Sequence, residues 1–141
     1  MIRLPQLKTF FRISCWVPLY LWVGPWTLIG LAIGFLPGVG QRRIRFHRGT
    51  VGIYGPGVER LLLRAPVVGG ASAMTIGHTI LACNESIWRE TFKHEFVHVR
   101  QYQWFGPFFV PAYLLESFWQ WIRGRNPYSD NRFEVQARKY S

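Results

Sequence analysis

Between residues 13 and 41 the chain carries no charged side chain: ISCWVPLYLWVGPWTLIGLAIGFLPGVGQ. As a continuous helix these residues would extend about 43 Å, more than the ~30 Å hydrocarbon slab of a bilayer. Trp16, Tyr20, Trp22 and Trp26 are suited to the headgroup level, and Pro25 after Gly24 permits a kink or a re-entrant hairpin. The competing reading is a buried core helix, but few soluble helices are apolar on every side for so long. A cleaved signal peptide fits less well, because the run exceeds the usual h-region and no A-x-A-like site closes it. The expectation is an N-terminal membrane-anchoring segment over residues 1–41, as one helix or a helical hairpin. Arg3, Lys8 and Arg12 precede the run, and Arg42, Arg43, Arg45 and Arg48 follow it. Positive-inside logic therefore places the remaining domain, residues 42–141, on the cytoplasmic side of the membrane.

The rest of the composition fits a membrane-associated chain. Seventeen Lys and Arg against seven Asp and Glu give a formal net charge of +10, and this basic excess accompanies an aromatic-rich, half-apolar sequence. That combination excludes a disordered chain and points to a lipid bilayer as partner. Nucleic acid is not expected, because the basic residues are scattered and no groove-reading motif is present. Cys15 and Cys83 lie far apart in apolar surroundings without a CxxC pair, so they read as small buried hydrophobes and not as a thiolate metal site. Nothing in the sequence specifies an oligomeric state.

After residue 41 the texture changes. RIRFHRGTVGIYGPG and VERLLLRAP alternate apolar and basic residues between glycines and prolines, which reads as short strands and turns. ASAMTIGHTILAC reads as a further strand, with Met74, Ile76, His78 and Ile80 on one side. NESIWRETFKHEFVHVRQYQWFG is helical, capped by Asn84 or Ser86 and stopped by Gly106-Pro107. PFFVPAYLLESFWQWIRG is a second, very apolar helix, and RNPYSDNRFEVQARKYS opens as a turn and ends as a short helix from about Asn131. The expected fold is α+β: a short antiparallel sheet packed on the first helix, followed by the apolar helix and the C-terminal helix.

The first helix carries His94-Glu95-Phe96-Val97-His98, an HExxH motif. Residues i and i+4 share a helical face, so both imidazoles can address one ion. Glu95 then lies beside the ion without binding it, where it can act as general base on a bound water. The bland alternative is a surface helix with two solvated histidines, but Phe96, Val97 and Val99 give the motif apolar surroundings. Catalytic zinc takes three protein ligands and keeps a fourth position open. The HExxHxxGxxH pattern is absent, since positions 101 and 104 are Gln and Trp, which removes the simplest three-histidine site. Candidates for the third ligand are His47, His78, Glu116, Asp130 and Glu134. A glutamate from a later helix is the natural choice, and Glu134 has the small residue Ala137 one turn on, which allows close helix approach. Glu116 is the runner-up, better suited to pairing with Arg123 or to supporting the site from behind.

HEFVHVRQY followed by an apolar helix and then NPYSDNRFEVQAR resembles the gluzincin metallopeptidases, most closely very small, minigluzincin-like chains. The resemblance covers about residues 70–140, including MTIGHTILA, which in such folds lines the substrate cleft. It implies Zn2+ held by His94, His98 and Glu134, with Glu95 polarising the water, and a peptide or protein as substrate. It also implies that Tyr128 or Asn131 supports an intermediate or the ligands. The N-terminal run lies outside it. The function expected is thus a membrane-associated zinc-dependent metallopeptidase; the rival is a non-enzymatic membrane protein with a structural metal site for folding or partner binding.

Overall fold

The computed structural model describes residues 4–36, 40–64 and 71–141, with side chains in the first helix from Pro18 onward. Expectations resting on Cys15, on Trp16 and on the placement of Arg3, Lys8 and Arg12 lie outside the described residues. The elements in order are α1 (Leu4–Gly34), β1 (Arg43–His47), β2 (Thr50–Tyr54), α2 (Pro56–Leu63), β3 (Ala73–Ile76), β4 (Thr79–Ala82), α3 (Glu85–Phe105), a 3-10 turn (Gly106–Phe108), α4 (Phe109–Ile122) and α5 (Arg132–Tyr140). The α+β class expected from the sequence is the one observed.

Two hairpins build the sheet, and each is set by its two-residue turn. Arg48 and Gly49 both have positive φ, 47° and 76°, and join β1 to β2 with His47 opposite Thr50, as a type I′ turn requires. Gly77, with φ 63°, turns the chain between Ile76 and Thr79. This glycine divides what reads as one strand, ASAMTIGHTILAC, into β3 and β4. The strand order is β1-β2-β4-β3, and β2 pairs with β4 in parallel. The sheet is therefore mixed, not wholly antiparallel as expected. The parallel pairing follows from the connection after β2: GPGVERLLL is not strand and turn but helix α2, with Pro56 in its first turn, and it carries the chain back before β3 begins.

The central strand β4 is buried along its whole length, because both faces of the sheet are covered. On one face Ile53 and Leu81 pack with Val58 and Leu62 of α2 and with Leu31 and Ile33 of α1. On the other, Tyr54, Ile80 and Ala82 pack against Trp88, Phe92 and Val99 of α3. A third cluster, Val23, Tyr102 and Phe109 with Trp26 and Phe133, joins α1 to the helical half of the molecule.

The expected N-terminal membrane helix or helical hairpin is corrected here. No helix among the described residues is long and apolar enough to cross a membrane, and α1 runs through Pro18 and Pro25 as one helix without a re-entrant turn. One side of α1 is committed to the domain. Val23, Gly30 and Gly34 are buried, the Trp26 indole N–H donates to the Pro107 carbonyl at 3.1 Å, and the Thr27 hydroxyl accepts from the His78 backbone N–H at 3.0 Å. Gly30 is where the helix comes closest to the sheet: a Cβ there would stand 2.7 Å from the Ile76 carbonyl oxygen and 2.8 Å from the Thr79 Cβ. Gly30→Val should therefore push α1 off the β3–β4 hairpin at a cost of about 1–3 kcal/mol. Urea unfolding followed by tryptophan fluorescence checks this; a midpoint equal to the parent's would mean that α1 is not seated on the sheet.

Candidate metal centre

Helix α3 begins at Asn84, whose side chain accepts the Ile87 N–H at 2.9 Å, and runs on to Gly106, where φ of 55° ends it. This fixes His94 and His98 one turn apart on a single face. The third partner arrives through a stapled turn. Asn126 Oδ1 accepts the N–H groups of Tyr128 at 2.9 Å and Ser129 at 2.8 Å, and Asp130 Oδ2 accepts that of Asn126 at 2.9 Å. Asn131, fully buried, then caps α5 by accepting the Phe133 N–H at 2.9 Å. Its amide donates to the Tyr113 carbonyl at 3.1 Å and the Ser117 hydroxyl at 2.8 Å, which pins α5 to α4. Ala137, also fully buried, lets α5 lie close to its neighbours, and Glu134 is delivered to the two histidines.

His94, His98 and Glu134 form a group that could hold a metal ion. His94 Nε2 and His98 Nε2 are 3.2 Å apart, and each lies 3.3 Å from a carboxylate oxygen of Glu134. Donors about 2.0–2.1 Å from an ion in tetrahedral array stand roughly 3.3 Å from one another, so the three side chains already have the spacing of three tetrahedral corners. Hydrogen bonding does not account for the cluster as well. Glu134 Oε2 is buried without a hydrogen-bond partner, even though His94 Nε2 is 3.3 Å away. We read that contact as two electron-rich atoms aimed at a shared point.

The protonation of His98 follows from its neighbour. Gln101 donates its amide N–H groups to the Phe133 carbonyl at 3.0 Å and to Gln136 Oε1 at 2.8 Å. A backbone carbonyl only accepts, so the orientation of the amide is determined and its oxygen faces His98 Nδ1 at 2.8 Å. Nδ1 must carry the hydrogen, which leaves Nε2 and its lone pair for the centre. Burial depresses the His98 pKa, but the negative charges of Glu95 and Glu134 and the bond with Gln101 outweigh it and raise the imidazole above its ordinary value. Burial likewise opposes ionisation of Glu134, yet the facing imidazoles of His94 and His98 and the Tyr113 hydrogen bond prevail and hold the carboxyl well below the usual range.

Glu95 is buried and does not join the three ligands. The Thr75 hydroxyl on β3 donates to its Oε2 at 2.7 Å. Desolvation raises the Glu95 pKa, against the opposing pull of His98 and the Thr75 bond. Tyr113 of α4 donates to Glu134 Oε1 at 2.8 Å. Tyr128, half exposed, is pushed up to about 12 by burial and by the charges of Glu134 and Glu95, so it borders the centre as a phenol.

The other sequence candidates fall elsewhere. His78 is buried between the Thr27 hydroxyl, 3.1 Å from Nδ1, and the Gln103 amide, 3.2 Å from Nε2. His47 packs edge-on to Trp88 and Phe92, and Asp130 serves the turn. Glu116 accepts from Gln120 at 2.7 Å and lies 3.5 Å from Arg132, so its basic partner is Arg132 where Arg123 was expected. Gln101, Thr75 and Tyr113 are contributors that the sequence did not single out. Gln101 alone had a readable signal, its position three residues after His98 on the same face. A groove of about 790 Å³ lined by Phe92, Lys93, Phe96, Arg100 and Trp104 also reaches Gln101 and Gln136, at the edge of the centre's surroundings, but none of the three donor residues.

No family profile matches the chain, and no curated protein or solved structure matches it significantly. The geometry therefore stands alone. A divalent ion should bind at one per chain, and His94→Ala or His98→Ala should each abolish binding. Gln101→Ala should weaken it roughly 10–100-fold with the fold retained, because the tautomer and ring orientation of His98 are lost. Titration against a competing chelator, with circular dichroism as the fold check, measures both. Full affinity in Gln101→Ala would remove the tautomer argument.

Proposed function

We propose that the chain is a zinc-dependent metallopeptidase of gluzincin type. The carrying observation is the set of three donor atoms at 3.2–3.3 Å with a buried carboxylate, Glu95, next to the first of them in sequence and outside the set. Two neutral imidazoles and one carboxylate suit zinc and leave a fourth position open. Among the described residues no fourth His, Cys, Asp or Glu joins the group, which supports a catalytic site over a closed structural one. His94 retains 22% side-chain exposure, so the centre is reachable from solvent.

When bound, zinc supplies Lewis-acid polarisation of the scissile carbonyl and a water acidic enough to attack near neutral pH. Glu95, beside the three donors and outside their set, would take a proton from a water attacking the carbonyl carbon. It then delivers the proton to the amine nitrogen as the C–N bond breaks. Thr75 holds Glu95 Oε2 and so leaves Oε1 for the proton. Thr75 also ties the centre to β3, the outer strand of the sheet, whose edge can pair with an extended peptide. Tyr113 and Gln101 keep Glu134 and His98 aimed while the reaction proceeds.

The test is hydrolysis of a quenched fluorescent peptide library by zinc-loaded protein. Glu95→Gln should retain zinc and lose at least about 10²-fold in rate, whereas Glu134→Gln should lose zinc itself while Glu116→Gln keeps most of it. Full activity in Glu95→Gln would overturn the proposed mechanism.

A further inference from the structure

Helix α4 is built inside out. Its outward positions include Leu114, Leu115, Phe118, Trp119, Trp121 and Ile122, all exposed, with Leu115 at 68% and Trp121 at 63%. Its polar side chains face inward. Gln120 is only 3% exposed, Ser117 accepts from Asn131, Glu116 is held by Gln120 and Arg132, and Tyr113 reaches Glu134. A helix bordering water has the opposite arrangement. From Pro18 onward α1 repeats the pattern: Leu21, Leu28 and Ile29 are exposed, while the hydroxyl of Thr27 points at His78. The two faces meet where the rings of Trp22 and Phe108 lie 6.4 Å apart. Together these side chains expose more clustered apolar surface than the scattered residues normal on a soluble domain.

We propose that this surface seats on an anionic lipid bilayer, with α4 lying in the interfacial plane. At 14 residues α4 is about 21 Å long, too short to span the ~30 Å hydrocarbon. It is flanked as an interfacial helix is: Arg123 stacks on Trp119 at 5.1 Å and Arg125 follows two residues later. At the end of α1, Arg42 lies over the Phe35 ring at 4.5 Å. Arginines beside aromatic rings are matched to phosphate groups above an apolar layer. No acidic side chain stands on the outward face of either helix. A second copy is the poorer occupant, since each copy carries +10 and the arginines would find no carboxylates opposite, whereas anionic headgroups attract the whole molecule.

The experiment is sedimentation of the full chain with phosphatidylcholine vesicles, with and without about a third phosphatidylglycerol. The protein should pellet with the anionic vesicles and bind the neutral ones at least tenfold more weakly. The triple variant Leu115→Glu, Phe118→Glu, Ile122→Glu should bind the anionic vesicles at least tenfold more weakly than the parent, with divalent-ion uptake at His94 and His98 unchanged as proof of folding. Arg123→Gln with Arg125→Gln, which changes two exposed residues, should also weaken binding and its sensitivity to salt. Brominated lipids should quench tryptophan emission in the parent. Equal binding by the triple variant and the parent would overturn the proposal, as would a parent that stays in the supernatant with both vesicles. A self-associated parent that the triple variant converts to monomer, without vesicle binding, would also overturn it and assign the face to a second copy.

Discussion

The side chain on which most of the centre depends is Gln101. It is buried, and its one amide group makes three directed bonds, accepting from His98 and donating to the backbone and side chain of α5. The acceptor half decides which nitrogen of His98 is turned toward His94 and Glu134. The donor half holds α5 against α3 so that Glu134 arrives at the right depth. Ligand orientation and helix docking are thus one interaction, and a change at this position is felt in both. A buried amide with every polar atom satisfied is rigid for the same reason that it is costly to disturb.

Around that amide the fold supplies walls with little freedom. Phe109 packs against Tyr102 with ring centroids 4.3 Å apart and against Phe133 at 5.2 Å, which joins α3, α4 and α5 below the ligands. Val23 and Trp26 of α1 close the same cluster, and the Trp26 N–H fixes the turn between α3 and α4. On the other side Thr75 ties the outer strand to Glu95. Glu95 is therefore positioned from the sheet and the three donors from the helices, with α3 common to both.

The parts of this structure that were legible in the sequence are those with local signals. Asn84 and Asn131 announce helix starts through their side-chain caps, Gly106-Pro107 announces a stop, and the i, i+4 spacing of His94 and His98 is a property of one helix. The third donor needed a long-range inference, and among His47, His78, Glu116, Asp130 and Glu134 spacing alone does not choose. The parallel pairing of β2 with β4 was not legible, because it is created by α2 in a segment whose glycines and prolines suggest turns. Gly77 gives no turn signal within ASAMTIGHTILAC, since its positive φ is visible only once the hairpin forms. The largest misreading concerns residues 13–41. Hydropathy registers that α1 is apolar all round, but not that Gly30 and Gly34 let one side lie on a sheet.

That misreading has a physical source which also explains α4. Reading hydrophobicity as burial presumes that a helix places its polar residues in water. In this chain the interior of the helical half is organised around a metal-competent cluster, and the groups that hold such a cluster are hydroxyls, amides and carboxylates. Tyr113 and Ser117 therefore take inward positions of α4, where hydrogen bonds to Glu134 and from Asn131 offset their desolvation. With those positions taken, the apolar residues of a short helix have only the outward face left. The same trade is visible at Thr27 in α1, whose hydroxyl is inside because His78 requires a partner. A polar centre in a small domain thus turns the adjoining helices inside out, and their apolar outer faces follow from the chemistry within.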